Sequence, residues 1–285
     1  MSRAYLFREL GYEDAAQAQA DDDRAAHRRL VRKAARAAAR LEKSDKLRSS
    51  QRLHALSELR YLEPATFAQY AGAVLARLED CDASVRRSAL GFLATLEPAT
   101  LAEHANAVLA RLQDTDYDVR AEALQTLGKL EPATLAMHAG AVVARLEDED
   151  SNVRGAAVLA LGELEPATLA QYAGAVVARL DDTEGVECYN SYEVRVCALY
   201  TLGRLDPATL AQYADAVLAI LEDENTDFHV RRDALDTLGK LDPATLAKYA
   251  DAVVARLEEE DSDSHGRYVT GAEVRQEALA TLGKL

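Results

Sequence analysis

Histidines and cysteines are the residue types to consider first for a catalytic or metal-binding site in this chain. The three cysteines, Cys81, Cys188 and Cys197, contain no CxxC pair. The six histidines are scattered along the sequence, at positions 27, 54, 104, 138, 229 and 265. The chain has no glycine-rich phosphate loop, no HExxH motif and no Cys/His ligand cluster. We therefore expect no catalytic residues, no metal site and no cofactor, and a protein that is not an enzyme.

Residues 261–266, Asp-Ser-Asp-Ser-His-Gly, resemble the oxygen-rich start of a calcium-binding EF-hand loop. Such a loop would close with a bidentate glutamate at position 272. This chain has Ala272 there, and Glu273 comes one residue too late. We interpret the segment as a solvated acidic loop.

One sequence unit recurs through most of the chain, with a spacing of 34 residues where it is most regular. Leu130–Leu146 and Leu164–Leu180 are identical except at two positions. The copies begin at Leu62, Leu96, Leu130, Leu164, Leu205 and Leu241. All six prolines of the chain occupy the same place in the unit. A fixed period of this length is typical of a stacked array of structural repeats.

Each unit is predicted to form two helices. In the copy that begins at Leu130, an acidic residue and a proline stand at the start, as they do at helix N-termini. Apolar residues then recur at helical spacing. The mainly acidic run 147–151 interrupts this pattern and is predicted to cap a second helix, whose apolar stripe includes Val153, Ala157 and Leu161. One hairpin cannot bury both apolar faces, whereas stacked neighbours form a continuous core.

The second helix carries the pattern Asp … Val-Arg … Ala … Leu-Gly, which strongly resembles the HEAT repeats of α-solenoid proteins. The resemblance covers residues 50–285 and implies an all-α, right-handed α-solenoid of six HEAT-like helical hairpins with an N-terminal helical cap. In that family the acid and the arginine form a ladder of side-chain contacts between neighbouring repeats. The resemblance assigns to this ladder Asp80, Arg86, Asp114, Arg120, Asp148, Arg154, Arg195, Arg231 and Arg275. The last three arginines follow a longer spacing, and Glu259 replaces aspartate in the sixth copy.

Residues 1–61 differ from the six copies in residues 62–285 and are predicted to form the cap. Residues 50–62 align with the second helix of the repeats and are interpreted as a half-repeat. Before them, after an irregular or partly helical arm, Asp21–Asp23 are predicted to start a long helix that ends near Lys43. Its aspartates would then lie at the positive end of the helix dipole.

One face of this long helix is basic and another consists of alanine and leucine. The basic face carries Arg28, Arg32, Arg36 and Arg40. We interpret the helix as a cap whose alanine face closes the first repeat. The alternative is a basic docking helix for an acidic partner or for nucleic acid.

Three copies carry insertions at the turn between their two helices. The insertions fall within residues 183–192, near Phe228, and within residues 260–271. Because the turn is the same each time, they project from one edge of the array, which is often a binding side. The first insertion contributes Tyr189 and Tyr192 as candidate partner-binding residues.

The columns of the second helices that point away from the core vary between copies, whereas the core columns do not. In the third and fourth copies the outward columns become apolar, and polar residues occupy them in the flanking copies. This predicts an exposed patch of Leu159, Val196, Cys197 and Tyr200. The resemblance implies that second helices line a concave surface, where such a patch is typical of a partner site. Drift among tolerant positions is the alternative.

Charge is divided unevenly along the chain, whose net charge is −15. Residues 1–61 carry 14 Lys/Arg against 9 Asp/Glu, and the remainder carries 19 against 39. The acidic repeats would repel phosphates, so nucleic-acid binding is not expected outside the N-terminal helix. No apolar run is long enough to span a membrane. The N-terminus lacks a secretory core, and three cysteines are an odd, sparse set, so we expect an intracellular, by default cytoplasmic, protein, with an organelle left open.

These patterns predict a non-catalytic scaffold that binds a partner protein on the concave face and the insertion-bearing edge of the solenoid. One alternative is an accessory protein that resembles the HEAT-like chromophore lyase subunits, for which Cys197 is the candidate residue. The last helix keeps the interior repeat sequence, with Leu279, Leu282 and Leu285. This predicts self-association or docking through an uncapped C-terminal helix, unless Tyr268 and Val269 fold back over it.

Overall fold

The computed structural model describes residues 13–42, 47–59, 70–182, 194–223, 226–255 and 271–285. Every regular segment within these residues is an α-helix or a short 3₁₀ helix. The chain divides into two compact units, Met1–Ala107 and Val108–Leu285. The all-α prediction is confirmed. The predicted boundary between residues 61 and 62 lies in a segment outside the described residues.

The first unit begins with one long helix, which is followed by shorter ones. In chain order its helices are α1 (Glu13–Glu42), α2 (Ser49–Leu59), α3 (Ala71–Leu75), α4 (Ala83–Leu93) and α5 (Pro98–Ala102). The division between the units falls within α6 (Ala105–Ala110). Helix α1 packs on α2 and α3, and α2 packs on α4. Of the predicted apolar face of α1, Ala34, Ala38 and Leu41 are buried together with Ala37, whereas Leu30 is 43% exposed.

Helix α1 begins at Glu13, well before the predicted start at Asp21. The three aspartates therefore lie inside the helix, and the prediction that they stand at its N-terminal end is wrong. The reason is local, because residues 15–20 are alanine and glutamine, which have high helix propensity. Asp21 instead forms an exposed ion pair with Arg24, one turn further along the helix.

The second unit alternates irregular first helices with regular second helices. From α6 onward its helices are α7 (Tyr117–Leu127), α8 (Pro132–Val143), α9 (Ser151–Gly162), α10 (Pro166–Leu169), α11 (Ala173–Val177), α12 (Val194–Leu202), α13 (Pro207–Leu210), α14 (Ala214–Glu222), α15 (Phe228–Leu238), α16 (Pro243–Leu246), α17 (Ala250–Ala255) and α18 (Gly271–Leu282). The second helices of the repeats are α7, α9, α12, α15 and α18.

Within this unit each second helix packs on the next, from α7 through α9, α12 and α15 to α18. Helices α8, α11, α14 and α17 each pack on the second helix that follows them, which completes the predicted hairpins. The repeated apolar stripe forms the core between them. Its valine column is fully buried at Val119, Val153, Val194 and Val230. The stacking of hairpins thus buries the faces that no single hairpin could bury.

The first helices are less regular than the sequence predicts. Helix α8 runs unbroken from Pro132 to Val143, but the equivalent segments of later repeats break at a tyrosine. There 3₁₀ turns replace the α-helix at Ala170–Tyr172, Ala211–Tyr213 and Ala247–Tyr249. The apolar spacing could not reveal these breaks, because a short 3₁₀ turn leaves the buried residues on either side facing the core.

Aspartate side chains cap helices in both positions of the hairpin. Asp150 precedes α9 and accepts hydrogen bonds from the backbone N–H groups of Asn152 and Val153 at 2.9 and 3.3 Å, which confirms the predicted cap. Asp206 caps α13 in the same way, and the hydrogen bond from the Thr209 hydroxyl group lowers the pKa of Asp206 below its ordinary value. Glu131, in contrast, makes no side-chain cap to α8.

Candidate functional site

Arg120 of α7 joins its own repeat to the next one. Its guanidinium donates from Nε to Oδ2 of Asp148 at 3.0 Å and from Nη2 to Oδ1 at 2.7 Å. The remaining nitrogen, Nη1, donates to the carbonyl oxygen of Asp114 at 3.0 Å. Only 7% of the Arg120 side chain and 3% of the Asp148 side chain are exposed. The hydrogen bond to Asp148 is the main reason why the pKa of Arg120 lies above its ordinary value.

Arg154 of α9 repeats this arrangement one unit later. It donates to the Asp182 carboxylate, with Nε–Oδ2 and Nη2–Oδ1 distances of 2.5 and 2.9 Å. Its Nη1 donates to the carbonyl oxygen of Asp148 at 2.9 Å. Asp148 therefore accepts from one arginine through its carboxylate and from the next through its backbone. Such charge-assisted, bidentate bonds fix both the distance and the orientation between neighbouring repeats.

The first unit contains the same arrangement, and one of its members, Arg52, was not predicted from the sequence. Arg52 of α2 donates from Nη2 to Oδ1 of Asp80 at 2.7 Å, and this bond raises the pKa of Arg52. Arg86 of α4 donates from Nη1 to the carbonyl oxygen of Asp80 at 2.8 Å. Arg52 could have been found from its alignment with Arg120. Asp182 was missed because an insertion follows it directly.

A second row of arginines, which was not predicted from the sequence, also ties repeats together. Arg145 donates from Nη1 to the carbonyl oxygen of Leu112 at 3.4 Å, and Arg179 donates to that of Leu146 at 2.9 Å. The signal was the recurring Ala-Arg-Leu triplet at the end of the first helix. Of the other predicted ladder arginines, Arg195 is buried and Arg231 is partly buried. The side chain of Arg275 lies outside the described ones.

A polar cleft of about 370 Å³ lies beside the Arg154–Asp182 ion pair. Its lining residues are Glu147, Asp148, Arg154, Ala178, Arg179, Asp181 and Asp182. Both arginines donate to carbonyl groups of the protein, and carboxylates outnumber them. The lining residues include no histidine, serine or cysteine that could act as a base or a nucleophile. The cleft is therefore a structural junction between two repeats.

The predicted apolar patch is exposed only in part. Tyr200 on α12 is 53% exposed, and Leu159 on α9 and Val196 on α12 are partly exposed. Cys197 is only 4% exposed, so its assignment to an exposed surface is wrong. The reason is that α12 is packed between α9 and α15, which covers the column that carries Cys197.

The remaining patch, Leu159, Val196 and Tyr200, spans two neighbouring second helices. The hydroxyl group of Thr201 donates to the carbonyl oxygen of Val158 at 3.2 Å. Thr201 is next to Tyr200 in the sequence, and Val158 is next to Leu159. The bond therefore holds Tyr200 and Leu159 at the same level along the axes of α12 and α9.

Two ion pairs lie at or just beyond the C-terminal ends of α9, α12 and α15. Arg204 and Glu163 form an ion pair at 3.5 Å, and Lys240 and Asp236 form another at 2.9 Å. We call Leu159, Val196 and Tyr200 the apolar patch from here on.

The basic face of α1 is largely as the sequence predicts. Arg28, Arg32 and Arg36 are exposed. Arg40 differs, because it forms an ion pair with Glu58 of α2. Arg40 therefore belongs to the contact between α1 and α2 rather than to a free basic surface.

The last helix leaves apolar side chains exposed. Leu279 is 61% exposed and Leu285 is 53% exposed, whereas the equivalent Leu235 of α15 is fully buried. Four further candidates lie outside the described residues: the tyrosines at 189 and 192, and the proposed covering residues Tyr268 and Val269. The EF-hand-like segment 261–266 lies outside them as well.

The described part of the chain contains no group of three or more His, Cys, Asp or Glu residues that could hold a metal ion. No helix described in the structure is long and apolar enough to cross a membrane. His104 and His138 are partly buried on the first-helix side of their repeats.

Stacked helical hairpins that are joined by buried side-chain bonds define a helical-repeat protein. Residues 105–186 match the family model of HEAT repeats. This match identifies HEAT repeats in residues 105–186, and the fold of the described residues is that of an α-solenoid. The number of six repeats stays a prediction, and a comparison with curated proteins yields no match.

Solved structures share this fold at low sequence identity. The crystal structure of Kap121p bound to Ste12p aligns with a TM-score of 0.62 and 13% identity, covering 96% of this chain and 31% of that one. Two crystal structures of engineered proteins align with TM-scores of 0.53 and 0.56, each at 18% identity. The alignment with the first covers 75% of this chain and 95% of the engineered chain, and the alignment with the second covers 87% and 67%. At such identities the likeness concerns the fold alone.

Proposed function

We propose that this chain is a non-catalytic scaffold that binds a partner protein through the apolar patch. The observation that carries the proposal is Tyr200, a large aromatic side chain that is 53% exposed near the C-terminal end of the second helix α12. Tyrosine supplies apolar area and a hydroxyl group at a low cost in conformational entropy, and it is frequent among the residues that dominate protein interfaces. The ion pairs at the helix ends would form part of the polar rim of such an interface.

Two further considerations support the proposal. Kap121p, whose fold this chain resembles, was crystallised in a complex with another protein, Ste12p. The insertion with Tyr189 and Tyr192 follows Asp182, in the same hairpin as Tyr200. We include that insertion in the proposed binding surface as its outer edge.

The lyase-like alternative loses its candidate residue. A thiol that attaches or holds a chromophore has to reach the ligand, and Cys197 is 4% exposed within packed helices. The residues that line the polar cleft beside the Arg154–Asp182 ion pair include no cysteine or histidine either. We therefore do not propose this function.

Replacement of Tyr200 by glutamate tests the scaffold proposal. Tyr200→Glu places a charge in the apolar patch, and we expect the partner to bind at least about tenfold more weakly, because the charge would have to be desolvated. The measurement is quantitative affinity capture from native extract with mass spectrometry, followed by a binding titration with each captured protein. Helical circular dichroism should be unchanged, since the side chain is half exposed.

The matched control is Met137→Glu, which introduces the same charge at a side chain that is 74% exposed on α8. A specific partner binds the wild type and Met137→Glu equally and binds Tyr200→Glu weakly. Equal binding of all three proteins would mean that the apolar patch is sequence drift. Tyr189→Ser with Tyr192→Ser then tests the edge separately.

A further inference from the structure

A stripe of four arginines covers the solvent-facing side of α1. Its members are Arg28, Arg29, Arg32 and Arg36, and all four are exposed. At 100° per residue they lie within one arc of the helix, directly opposite the buried Ala34, Ala37, Ala38 and Leu41. We call these four residues the arginine stripe.

The other basic residues of this helix are neutralised by neighbouring acids. Lys33 and Arg40 both pair with Glu58 of α2, the former at 3.7 Å. Arg24 pairs with Asp21 at 3.3 Å. The arginine stripe, in contrast, forms no ion pair with any residue that the structure describes. Like charges one turn apart destabilise a helix, so a stripe without counter-charges is unfavourable in isolation.

The stripe has a definite length and an open surface. Its residues extend over about 12 Å, given a rise of 1.5 Å per residue. Ala35 and Ala39 are exposed beside it and present no bulk that would keep a ligand from the guanidinium groups. Arginines spaced by one helical turn are about 6 Å apart, which is close to the spacing of alternate residues in an extended peptide.

We propose that the arginine stripe binds an acidic segment of a partner protein. Guanidinium groups bind carboxylates in a planar, bidentate manner. A short acidic segment is long enough to contact all four arginines of the stripe. This surface lies on α1 and is independent of the apolar patch on α9 and α12. A partner protein with an acidic tail next to a folded region would be the natural ligand.

A nucleic acid fits this surface less well. A duplex extends its charge far beyond about 12 Å, whereas residues 62–285 carry 39 acidic residues against 19 basic ones and add no net positive charge for it. An anionic membrane fits less well too, because the apolar face of α1 is already buried against α2 and α3. Leu30, 43% exposed, is the one large apolar side chain that the described part of α1 exposes.

The test uses the full chain and a fluorescently labelled peptide of alternating glutamate and serine. Binding is followed by fluorescence anisotropy at about 50 mM and about 200 mM salt. We expect salt-sensitive binding by the wild type, and binding at least about tenfold weaker by the triple variant Arg28→Gln, Arg32→Gln, Arg36→Gln. The charge-matched control replaces three exposed lysines elsewhere by glutamine, Lys129, Lys248 and Lys284, and should bind within about twofold of the wild type.

A labelled DNA duplex of equal charge and vesicles with phosphatidylserine are the competing ligands. The proposal is overturned if the peptide does not bind at low salt, or if the two triple variants lose affinity equally. It is also overturned if the duplex or the vesicles bind the stripe more tightly than the peptide does. Circular dichroism of both variants establishes that α1 is intact, since glutamine preserves helix propensity.

Discussion

Asp148 illustrates how much of the repeat geometry depends on single side chains. Its carboxylate accepts from Arg120 of the preceding repeat, and its carbonyl oxygen accepts from Arg154 of its own repeat. The same carboxylate also accepts from the backbone N–H of Asp150 at 3.2 Å. One residue thus holds the turn between its helices and the contact with its neighbour. The lone pairs of a buried carboxylate are used almost completely here.

Arg120→Ala should lower the free energy of unfolding by about 1–3 kcal/mol, because it removes one partner of a buried ion pair and leaves the other. Asp148 would keep hydrogen bonds from Asp150 and Arg145, so the loss should remain below the roughly 3–5 kcal/mol of a fully stranded buried charge. Thermal and urea unfolding measure the change.

Lys129→Ala is the control for this substitution, because Lys129 is exposed in the same repeat and is not a member of the ladder. Equal melting temperatures of the two variants would mean that the Arg120–Asp148 contact does not stabilise the repeats. A loss well above about 5 kcal/mol would mean that Asp148 is left without effective partners.

Close packing of second helices depends on small residues at the ends of those helices. At Gly162 of α9, an added Cβ would lie 3.0 Å from the hydroxyl oxygen of Thr201 on the next second helix. Thr201 is fully buried and donates to the carbonyl oxygen of Val158, so it cannot easily move. Gly140 of α8 differs, because nothing lies within 4 Å of an added Cβ there.

The same substitution should therefore have opposite effects at these two glycines. Gly140→Ala should raise the free energy of unfolding by about 0.5–1 kcal/mol, since alanine restricts the unfolded chain and fits the helix. Gly162→Ala should lower it by about 1 kcal/mol, because displacement of Thr201 costs a buried hydrogen bond and outweighs the same helical gain. Urea unfolding midpoints of the two variants make the comparison.

If both alanine variants are stabilised, the contact between α9 and α12 accommodates an added methyl group more easily than its geometry indicates. If Gly140→Ala is destabilised, the exposed side of α8 is covered in solution.

Stability in the second unit is shared between neighbours, as is general in repeat proteins, where each repeat contacts only the adjacent ones. The leucine column of the second helices makes this visible. Leu124, Leu199 and Leu235 have no exposed surface, whereas Leu279 of α18 is 61% exposed. A leucine of the same column thus has a neighbour on both sides in α15 but not in α18.

Leucine-to-alanine substitution in this column should reveal that difference. Leu235→Ala should cost about 2–4 kcal/mol, because it leaves a cavity between packed helices. Leu279→Ala should cost less than about 1 kcal/mol, because the side chain loses little contact with the protein. Hydrogen exchange resolved by repeat is the suitable measurement, since arrays often do not unfold in a two-state manner.

A large loss at Leu279 would mean that its side chain is covered in solution. Sedimentation at several protein concentrations would then distinguish self-association, which remains a prediction, from a cover within the chain. A small loss at Leu235 would contradict the core that the structure describes.

Much of the fold and part of the candidate site could be read from the sequence. The period of the unit, the apolar stripe, the proline at each first helix and the aspartate caps act within one repeat. Their effects are local, so spacing alone predicts the helical hairpins. The ladder residues, such as Arg120 and Asp148, were instead implied by the resemblance to HEAT repeats. The resemblance of the Asp … Val-Arg pattern to HEAT repeats rests on the same local order.

Tertiary packing decided the remainder. The burial of Cys197 and the pairing of Arg40 with Glu58 depend on which helices meet, and the columns of one helix do not contain that information. The exposure of Tyr200, and of the four arginines opposite the alanine face of α1, follows from the same non-local contacts. Sequence periodicity specifies which residues share a helix face, but whether that face meets protein or water depends on the neighbouring helix.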